Sequence, residues 1–307
     1  MAENLLEQDI AIELAGVKIQ RRRRKTVGPI NLRIPQGHIV ALVGPNGSGK
    51  STIMNMILQT IQPDEGSISW LGETPKAALP LEVRQQIAYV PEHSIHEENI
   101  MTADEAARFR SHWYPNWDEV RFDQLMSRFE VSRHDRLNRL SKGERRKFEI
   151  AAALAANPKI LLLDEPSSGL DPFAWKDMIE ELRDFMENED VTIVMSSHIV
   201  EEVKRLADYI VLVNSGQVLG MVEKDALFAS WKEIWVRGEL DALDQLETDI
   251  LRREYGPAMT KLVVSESERL ELWMDENRIQ VVKSRSLELD EILEIWIQGH
   301  TPDVLSQ

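Results

Sequence analysis

The chain contains no cysteine, which excludes disulfides, thiolate metal sites and cysteine nucleophiles together. No stretch approaches the roughly 18 to 20 apolar residues that span a bilayer. The acidic N-terminal segment also lacks the apolar core of a signal peptide. These two gaps predict a cytoplasmic protein. Positive charge is in deficit as well: 36 Lys and Arg stand against 52 Asp and Glu, a formal net charge of −16. That balance argues against a general nucleic-acid binder, because phosphate backbones are held by a positive field. One basic cluster runs against it, Arg21 to Lys25. Repeats and low-complexity segments are absent too. What remains, 43% hydrophobic and 29% charged, is the composition of a soluble globular protein. At 307 residues it exceeds one core of ordinary size, so two domains are expected.

The most informative stretch is Gly44-Pro45-Asn46-Gly47-Ser48-Gly49-Lys50-Ser51-Thr52. A short apolar run, His38 to Val43, precedes it, and Thr52 to Gln59 reads as a helix. Strand, glycine-rich turn and helix together form the context of a phosphate-binding loop. Glycines let successive amide N–H groups point inward, and the helix N-terminus adds about half a positive charge at the same spot. A triphosphate tail fits that arrangement. Lys50 would reach the β- and γ-phosphates, and the Ser51 hydroxyl would ligate the bridging magnesium ion, with Thr52 beside it.

Upstream, Ile10, Ile12 and Leu14 alternate before Gly16, and Val17 and Ile19 follow, a pattern that predicts two strands of a hairpin over residues 8 to 20. Arg21 to Lys25 reads as an exposed turn and Ile30 to Ile34 as another alternating strand, so a small antiparallel sheet leads into the loop. Beyond the loop, strands are expected at Ser67 to Leu71 and Ile87 to Val90. From Ile100 to about Ala156 the period becomes helical, with Phe109, Val120, Phe122, Leu125, Met126 and Phe129 on the apolar face. The core resumes at Ile160 to Leu163, an unbroken apolar run typical of a central parallel strand. Helices at Pro172 to Glu187 and Ile199 to Ala207 then alternate with strands at Val191 to Met195 and Tyr209 to Val213. Such alternation implies a mainly parallel sheet covered on both sides. Gln217 to Val222 resembles a last hairpin strand. From Met221 onward 10 Lys and Arg oppose 19 Asp and Glu, more than half the excess charge. Strands at Ile234 to Arg237, Lys261 to Ser265 and Ile279 to Lys283 alternate there with helices at Leu240 to Leu251, Glu266 to Glu276 and Leu287 to Ile297. The boundaries expected are 1–221 for the main domain, with a helical insert over about 93–156, and 222–307 for a small α/β domain.

Asp164 and Glu165 follow the Ile160-Leu161-Leu162-Leu163 run and precede Pro166. A carboxylate at the C-terminal end of a buried parallel strand sits where ligands bind in this architecture. Asp164 can hold magnesium through its water shell. Glu165, one residue further out, can take the proton of an attacking water, a role worth about 10²- to 10⁴-fold in rate.

Leu140-Ser141-Lys142-Gly143-Glu144 resembles the LSGGQ signature of ATP-binding cassette proteins, just upstream of the aspartate strand as in that family. Ser167-Ser168-Gly169-Leu170-Asp171 resembles its D-loop, and Ser197-His198 its switch histidine. With residues 44–52, these matches cover residues 1 to about 222 in the right order. The resemblance implies the α/β fold of a P-loop NTPase (ABC ATPase), with an N-terminal antiparallel β-subdomain, a helical subdomain and a small C-terminal α/β domain. It also implies ATP and Mg²⁺ as cofactors and hydrolysis of ATP to ADP and phosphate. Lys142 and Glu144 depart from the commonest signature, but Ser141 and Gly143 keep a hydroxyl and backbone N–H groups at a helix N-terminus, where a γ-phosphate is met. By the family mode this motif acts on ATP held by a second subunit, so a dimer is implied and a homodimer would suffice; Asp171, in the D-loop, is a further nucleotide-binding candidate. His198 would donate a hydrogen bond to the γ-phosphate.

Glu92, in Tyr89-Val90-Pro91-Glu92, stands where the family usually has the Q-loop glutamine. It could reach the magnesium or the attacking water, or be a solvated loop carboxylate. The family's adenine-stacking aromatic falls near Arg21, and no Tyr, Phe or Trp precedes Trp70. Arg21 could stack on the base, or the Arg run could be a solvated turn. His112-Trp113-Tyr114-Pro115-Asn116-Trp117-Asp118 resembles a stretch of the ABC-2-type exporter subclass, which includes acetoin-utilisation and antimicrobial-peptide export and immunity systems. That subclass also carries a small C-terminal domain. Its helical insert, and the loop after Glu92, dock against a membrane subunit, with Trp and Tyr favoured as anchors; Trp117 suits the helical core better. The expectation is an exporter ATPase, peripheral on the inner face of the cell membrane and paired with a separate permease, with no nucleic-acid partner. The alternatives are a soluble cassette ATPase acting on ribosomes or nucleic acid, and a catalytically silent nucleotide-binding regulator. Intact Lys50, Asp164, Glu165 and His198 speak against the second of these.

Overall fold

The computed structural model describes residues 9–20, 26–75, 78–94, 96–188, 190–237, 250–265, 267–277 and 279–302. They divide into two compact units, one ending at Leu219 and one beginning at Gly220. Among them no helix is long and apolar enough to cross a membrane.

The first unit opens with β1 (Ile10–Ile19) and β2 (Val27–Pro35), then β3 (Ile39–Val43), α1 (Lys50–Ile57) and β4 (Glu65–Trp70). β1 lies between β2 and β4 in an antiparallel sheet. The expected hairpin over residues 8 to 20 is instead this single strand. Gly16, at φ +63°, bulges it: the register shifts between Leu14 and Val17, so both stay buried, and the glycine amide donates to Asn31 Oδ1 at 2.8 Å. Arg21 to Lys25, and with them the expected turn and adenine contact, lie outside the described residues.

α2 (Leu81–Arg84), β5 (Ile87–Val90) and a 3₁₀ turn at His96–Glu98 lead to the helical region: α3 (Ala103–Ser111), α4 (Glu119–Arg128) and α5 (Lys142–Ala155). Thr102, Asp118 and Ser141 are their N-caps, each accepting from a backbone N–H of the first turn. Phe122, Leu125, Met126 and Phe129 are buried as expected, whereas Phe109 and Val120 are 50% and 66% exposed. α3 faces the core with Ala103, Ala106 and Ala107, and α4 with its i, i+3, i+4 stripe from Phe122, which leaves Phe109 and Val120 outside those stripes.

β6 (Ile160–Asp164), α6 (Pro172–Asn188), β7 (Thr192–Ser197), α7 (Val200–Leu206), β8 (Tyr209–Asn214) and β9 (Gln217–Glu223) complete a six-stranded sheet of order β5-β6-β7-β3-β8-β9. Its β5-β6-β7-β3-β8 stretch is parallel. Every residue of β3, β6 and β7 is buried, as their apolar runs require. The register pairs Val43 with Ser197 and Asp164 with Ser196, so the strand ends that carry the glycine loop, the histidine and the two carboxylates lie side by side.

The second unit contains α8 (Lys224–Ser230), β10 (Trp231–Arg237), β11 (Ile250–Tyr255), β12 (Thr260–Ser265), α9 (Ser267–Glu276), β13 (Gln280–Ser286) and α10 (Leu289–Ile297). Its sheet, β11-β12-β10-β13, is wholly antiparallel around Ile234, Val236, Leu262, Val264, Leu270 and Met274. Of the helix expected over Leu240 to Leu251, the described end, Ile250 and Leu251, is the start of β11; the rest lies outside the described residues.

Candidate functional site

The loop between β3 and α1 is shaped by three glycines. Gly47 adopts φ +77° and Gly49 φ +119°, in the left-handed region that favours glycine. A Cβ on Gly44 would lie 2.0 Å from the Val213 carbonyl oxygen, so a side chain there would force β3 and β8 apart. The turn between β8 and β9 braces the loop, with Gly216 N–H donating to the Ser48 carbonyl at 2.7 Å. Lys50 is buried, and its Nζ donates to the Gly44 carbonyl at 2.8 Å and the Pro45 carbonyl at 3.4 Å. Burial holds its pKa below the ordinary lysine value, opposed by the charges of Glu165, Asp164 and Glu92.

Asn46, Gly47, Ser48, Gly49, Lys50, Ser51 and Thr52 line one cavity of about 660 Å³, which Glu92, Glu165 and His198 share. Asp164 lies buried behind it. Its Oδ1 accepts from Ser51 Oγ at 3.2 Å and from Ser196 Oγ. Tyr89 is pushed above the ordinary phenol value by burial and by the negative charge of Asp164. Glu165 sits at φ +49°, a conformation that costs a non-glycine residue on the order of 1–3 kcal/mol. The surrounding bonds hold it there: its N–H donates to Ser196 Oγ at 3.1 Å and to the Ser196 carbonyl at 3.2 Å. The strain presents its carboxylate at the cavity, where Oε2 lies 2.7 Å from His198 Nδ1. Ser197 Oγ donates to Glu202 at 2.7 Å and accepts from the Ile199 amide, pinning the chain on either side of that histidine.

Ser141, Gly143 and Asp171 are not part of this cavity. Ser141 and Glu144 form a reciprocal cap on α5: Ser141 Oγ accepts from the Glu144 amide at 3.2 Å and Glu144 Oε2 from the Ser141 amide at 2.8 Å. A Cβ on Gly143 would come within 2.9 Å of the Gly169 carbonyl oxygen, so the α5 tip and the loop after Glu165 touch through backbone. Lys142 lays its stem across Gly169 and donates to Ser168 Oγ at 3.0 Å. Asp171 caps α6 through the Phe173 and Ala174 amides at 2.9 and 3.0 Å, and these bonds hold its pKa below the usual carboxylate range. Val27 and Gly216 also line the cavity. Sequence reasoning missed both, since an apolar residue in an N-terminal strand and a glycine in a distant turn carry no local signal of a ligand.

A glycine cradle at a helix tip, a buried lysine, and carboxylates at adjoining parallel strand ends define a P-loop nucleotide-binding protein. Comparison with known proteins narrows the class. The ABC transporter family profile matches residues 27–168. The Nod factor export ATP-binding protein I of Rhizobium sp. (strain N33) is 32% identical over 222 residues, covering 71% of this chain and 72% of its own. The lipopolysaccharide export ATP-binding protein LptB of Haemophilus influenzae is 36% identical over 208 residues, 64% of this chain and 84% of its own. A solved ATP-binding subunit of an ABC transporter superposes with a TM-score of 0.63 at 26% identity, covering 71% of this chain and 91% of that one. The chain belongs to the ATP-binding subunits of ABC transporters, and it is an ATPase that powers transport.

Proposed function

We propose that this ATPase drives export through a separate membrane subunit, acting as a dimer that closes on two molecules of Mg-ATP. The observation that carries the reading is the Glu165–His198 pair, 2.7 Å apart at the cavity lined by residues 46–52. Glu165 would accept the proton of a water attacking the γ-phosphate, and His198 would keep that carboxylate aimed and meet the phosphate. Lys50 would trade its bonds to the Gly44 and Pro45 carbonyls for the β- and γ-phosphates.

The donor set suits magnesium. Ser51 Oγ and Asp164 Oδ1 lie 3.2 Å apart, and among the described residues no group of three or more His, Asp or Glu could hold an ion alone. Magnesium accepts few protein ligands and keeps water and phosphate oxygens. Ser51 and Asp164 would hold it, Glu92 would stand beside it, and the ion would neutralise charge on the β- and γ-phosphates.

Ser141 and Gly143 lie outside the cavity of their own chain and would act on the nucleotide of a second copy, with Asp171 fixing the adjoining loop. The solved dimeric cassette MJ0796, 24% identical with a TM-score of 0.60, shares the fold on which this arrangement rests. Export is the direction named for the Nod factor and lipopolysaccharide relatives. It also fits Trp113, 55% exposed on the helical region, as an anchor for the membrane subunit at the inner membrane face. The test is Glu165→Gln. The variant should bind ATP, hydrolyse it at least about 10²-fold more slowly, and elute as a dimer with ATP. A variant that stays monomeric with bound ATP would overturn the paired arrangement.

A further inference from the structure

Five ionisable side chains outside the nucleotide cavity form one mostly buried chain of alternating sign. Glu98, at the end of the 3₁₀ turn, takes both Arg110 Nε and Nη2, at 3.0 and 2.6 Å. Its Oε2 is 3.6 Å from Arg145 Nη2. Arg145 Nε donates to Glu149 Oε1 at 2.9 Å, and Glu149 Oε2 is 3.8 Å from Arg146 Nη1. Arg146 ends the chain on backbone: Nη1 donates to the Pro91 carbonyl at 2.7 Å and Nη2 to the Glu92 carbonyl at 2.8 Å. Arg145, Arg146, Glu149 and Glu98 are 5%, 3%, 2% and 6% exposed.

Burying this much charge does not by itself stabilise a fold. Each ion costs several kcal/mol of desolvation, and apolar residues of equal volume often do as well or better. The useful property lies at the end of the chain. A planar guanidinium forks onto two successive carbonyls, fixing the backbone at the residue whose side chain walls the nucleotide cavity. α5, which carries the fork, begins at Ser141. The other end, Glu98 and Arg110, walls a second cavity of about 360 Å³ together with Leu81, Tyr89 and Trp113.

The geometry points to Arg146 as a positioning residue for ATP hydrolysis, which sets the loop of Glu92 from α5 and is held in place by the Glu149–Arg145–Glu98–Arg110 chain. This rests on Glu92 acting at the nucleotide site. Because the guanidinium holds backbone rather than ligand, its loss should slow turnover and leave ATP binding nearly unchanged.

The experiment is a steady-state double-mutant cycle on the purified chain, reading kcat and KM for Mg-ATP with thermal melting as a folding control. Arg146→Met should lower kcat at least about tenfold with KM within about twofold, and Arg146→Lys should not restore it, since one ammonium cannot fork. Glu92→Ala should lower kcat similarly, and the double variant should be no slower than the slower single. Normal kcat for Arg146→Met beside an impaired Glu92→Ala overturns the role of Arg146 and leaves the site intact. Normal kcat for Glu92→Ala overturns the reading of Glu92 and the inference with it. Effects that multiply in the double variant overturn the positioning. If Arg146→Met fails to fold, Glu149→Gln, which preserves volume, replaces it in the cycle with an expected fall of about threefold, and the same outcomes decide.

Discussion

Each unit of this protein buries a glutamate against cations or a histidine, and the two sites differ in what is left to do. In the second unit Glu233, 1% exposed, is answered on both sides: Lys261 Nζ lies 2.6 Å from Oε2 and Arg285 Nε 2.8 Å from Oε1. Arg285 also forks onto Glu291, at 2.6 and 2.7 Å, and Lys283 lies over the Trp235 ring. In the first unit Glu165 stands in strained backbone and opens on a cavity, with His198 at 2.7 Å and Lys50 nearby. A buried carboxylate whose partners are complete holds a sheet together. One held in strain with a side open to a cavity that Lys50 also lines meets what the role proposed for Glu165 requires.

The sharpest way to break the comparison is Lys50→Ala. It removes the one lysine of the cradle, and hydrolysis should fall below detection in a steady-state phosphate-release assay while the melting of the second unit is unaltered. Measurable turnover would take Lys50 out of the phosphate site. Glu233→Gln is the matching lesion in the other unit. It strips two cations of their shared counter-charge; since each is about one third exposed, the cost should be nearer about 2 kcal/mol than the larger penalty of a fully buried break. Hydrogen exchange of β10 and β13 should quicken while kcat stays within about twofold. A collapse of kcat would show that Glu233 serves the reaction.

The same contrast explains what could be read from residue order. Residues 44–52 and 160–165 were legible because their chemistry is local: a helix tip, a glycine turn and a carboxylate at the end of an apolar run. The β1 bulge was not, because Gly16 reads as a hairpin turn until a partner on each side, β2 and β4, holds the strand straight through it. β11 was hidden for a related reason. Only Ile250 of its residues is buried, and Arg252, Arg253 and Glu254 give no alternation, so pairing with β12 decides its state. The Glu92 loop needed tertiary information too. Position alone left open whether that carboxylate faces solvent or ligand; in the fold it walls the cavity, and Arg146, some fifty residues away, donates to its carbonyl.

A pH titration sharpens the comparison with a smaller effect. The two bonds from Arg285 hold Glu291 down at about 2. A carboxylate whose folded pKa is depressed stabilises the fold above its unfolded value, near 4.3, and that stabilisation is lost as pH falls toward the folded one. The second unit should therefore lose stability between about pH 4.5 and pH 2. Glu291→Gln should flatten the melting temperature across that window and leave it unchanged in slope from pH 6 to 8. Unchanged slope at low pH would mean that other carboxylates set the acid limit.

The smallest effect expected is at Glu144, one of the two departures from the commonest signature. Its carboxylate accepts the Ser141 amide at 2.8 Å, and the bonds to Ser141 hold its pKa below the ordinary value. Glutamine at the third helical position can close the same reciprocal cap, so Glu144→Gln keeps the bond and gives up only the charge near the positive end of the helix. That charge is worth about 0.3–1 kcal/mol at an exposed site. Hydrolysis should stay within about twofold, and the thermal midpoint should fall by no more than about 3 °C. A larger loss of turnover without loss of stability would assign Glu144 to the nucleotide of the second copy, and the α5 tip would then join Glu165 on the reactive side of the comparison instead of supporting it as a well-capped helix.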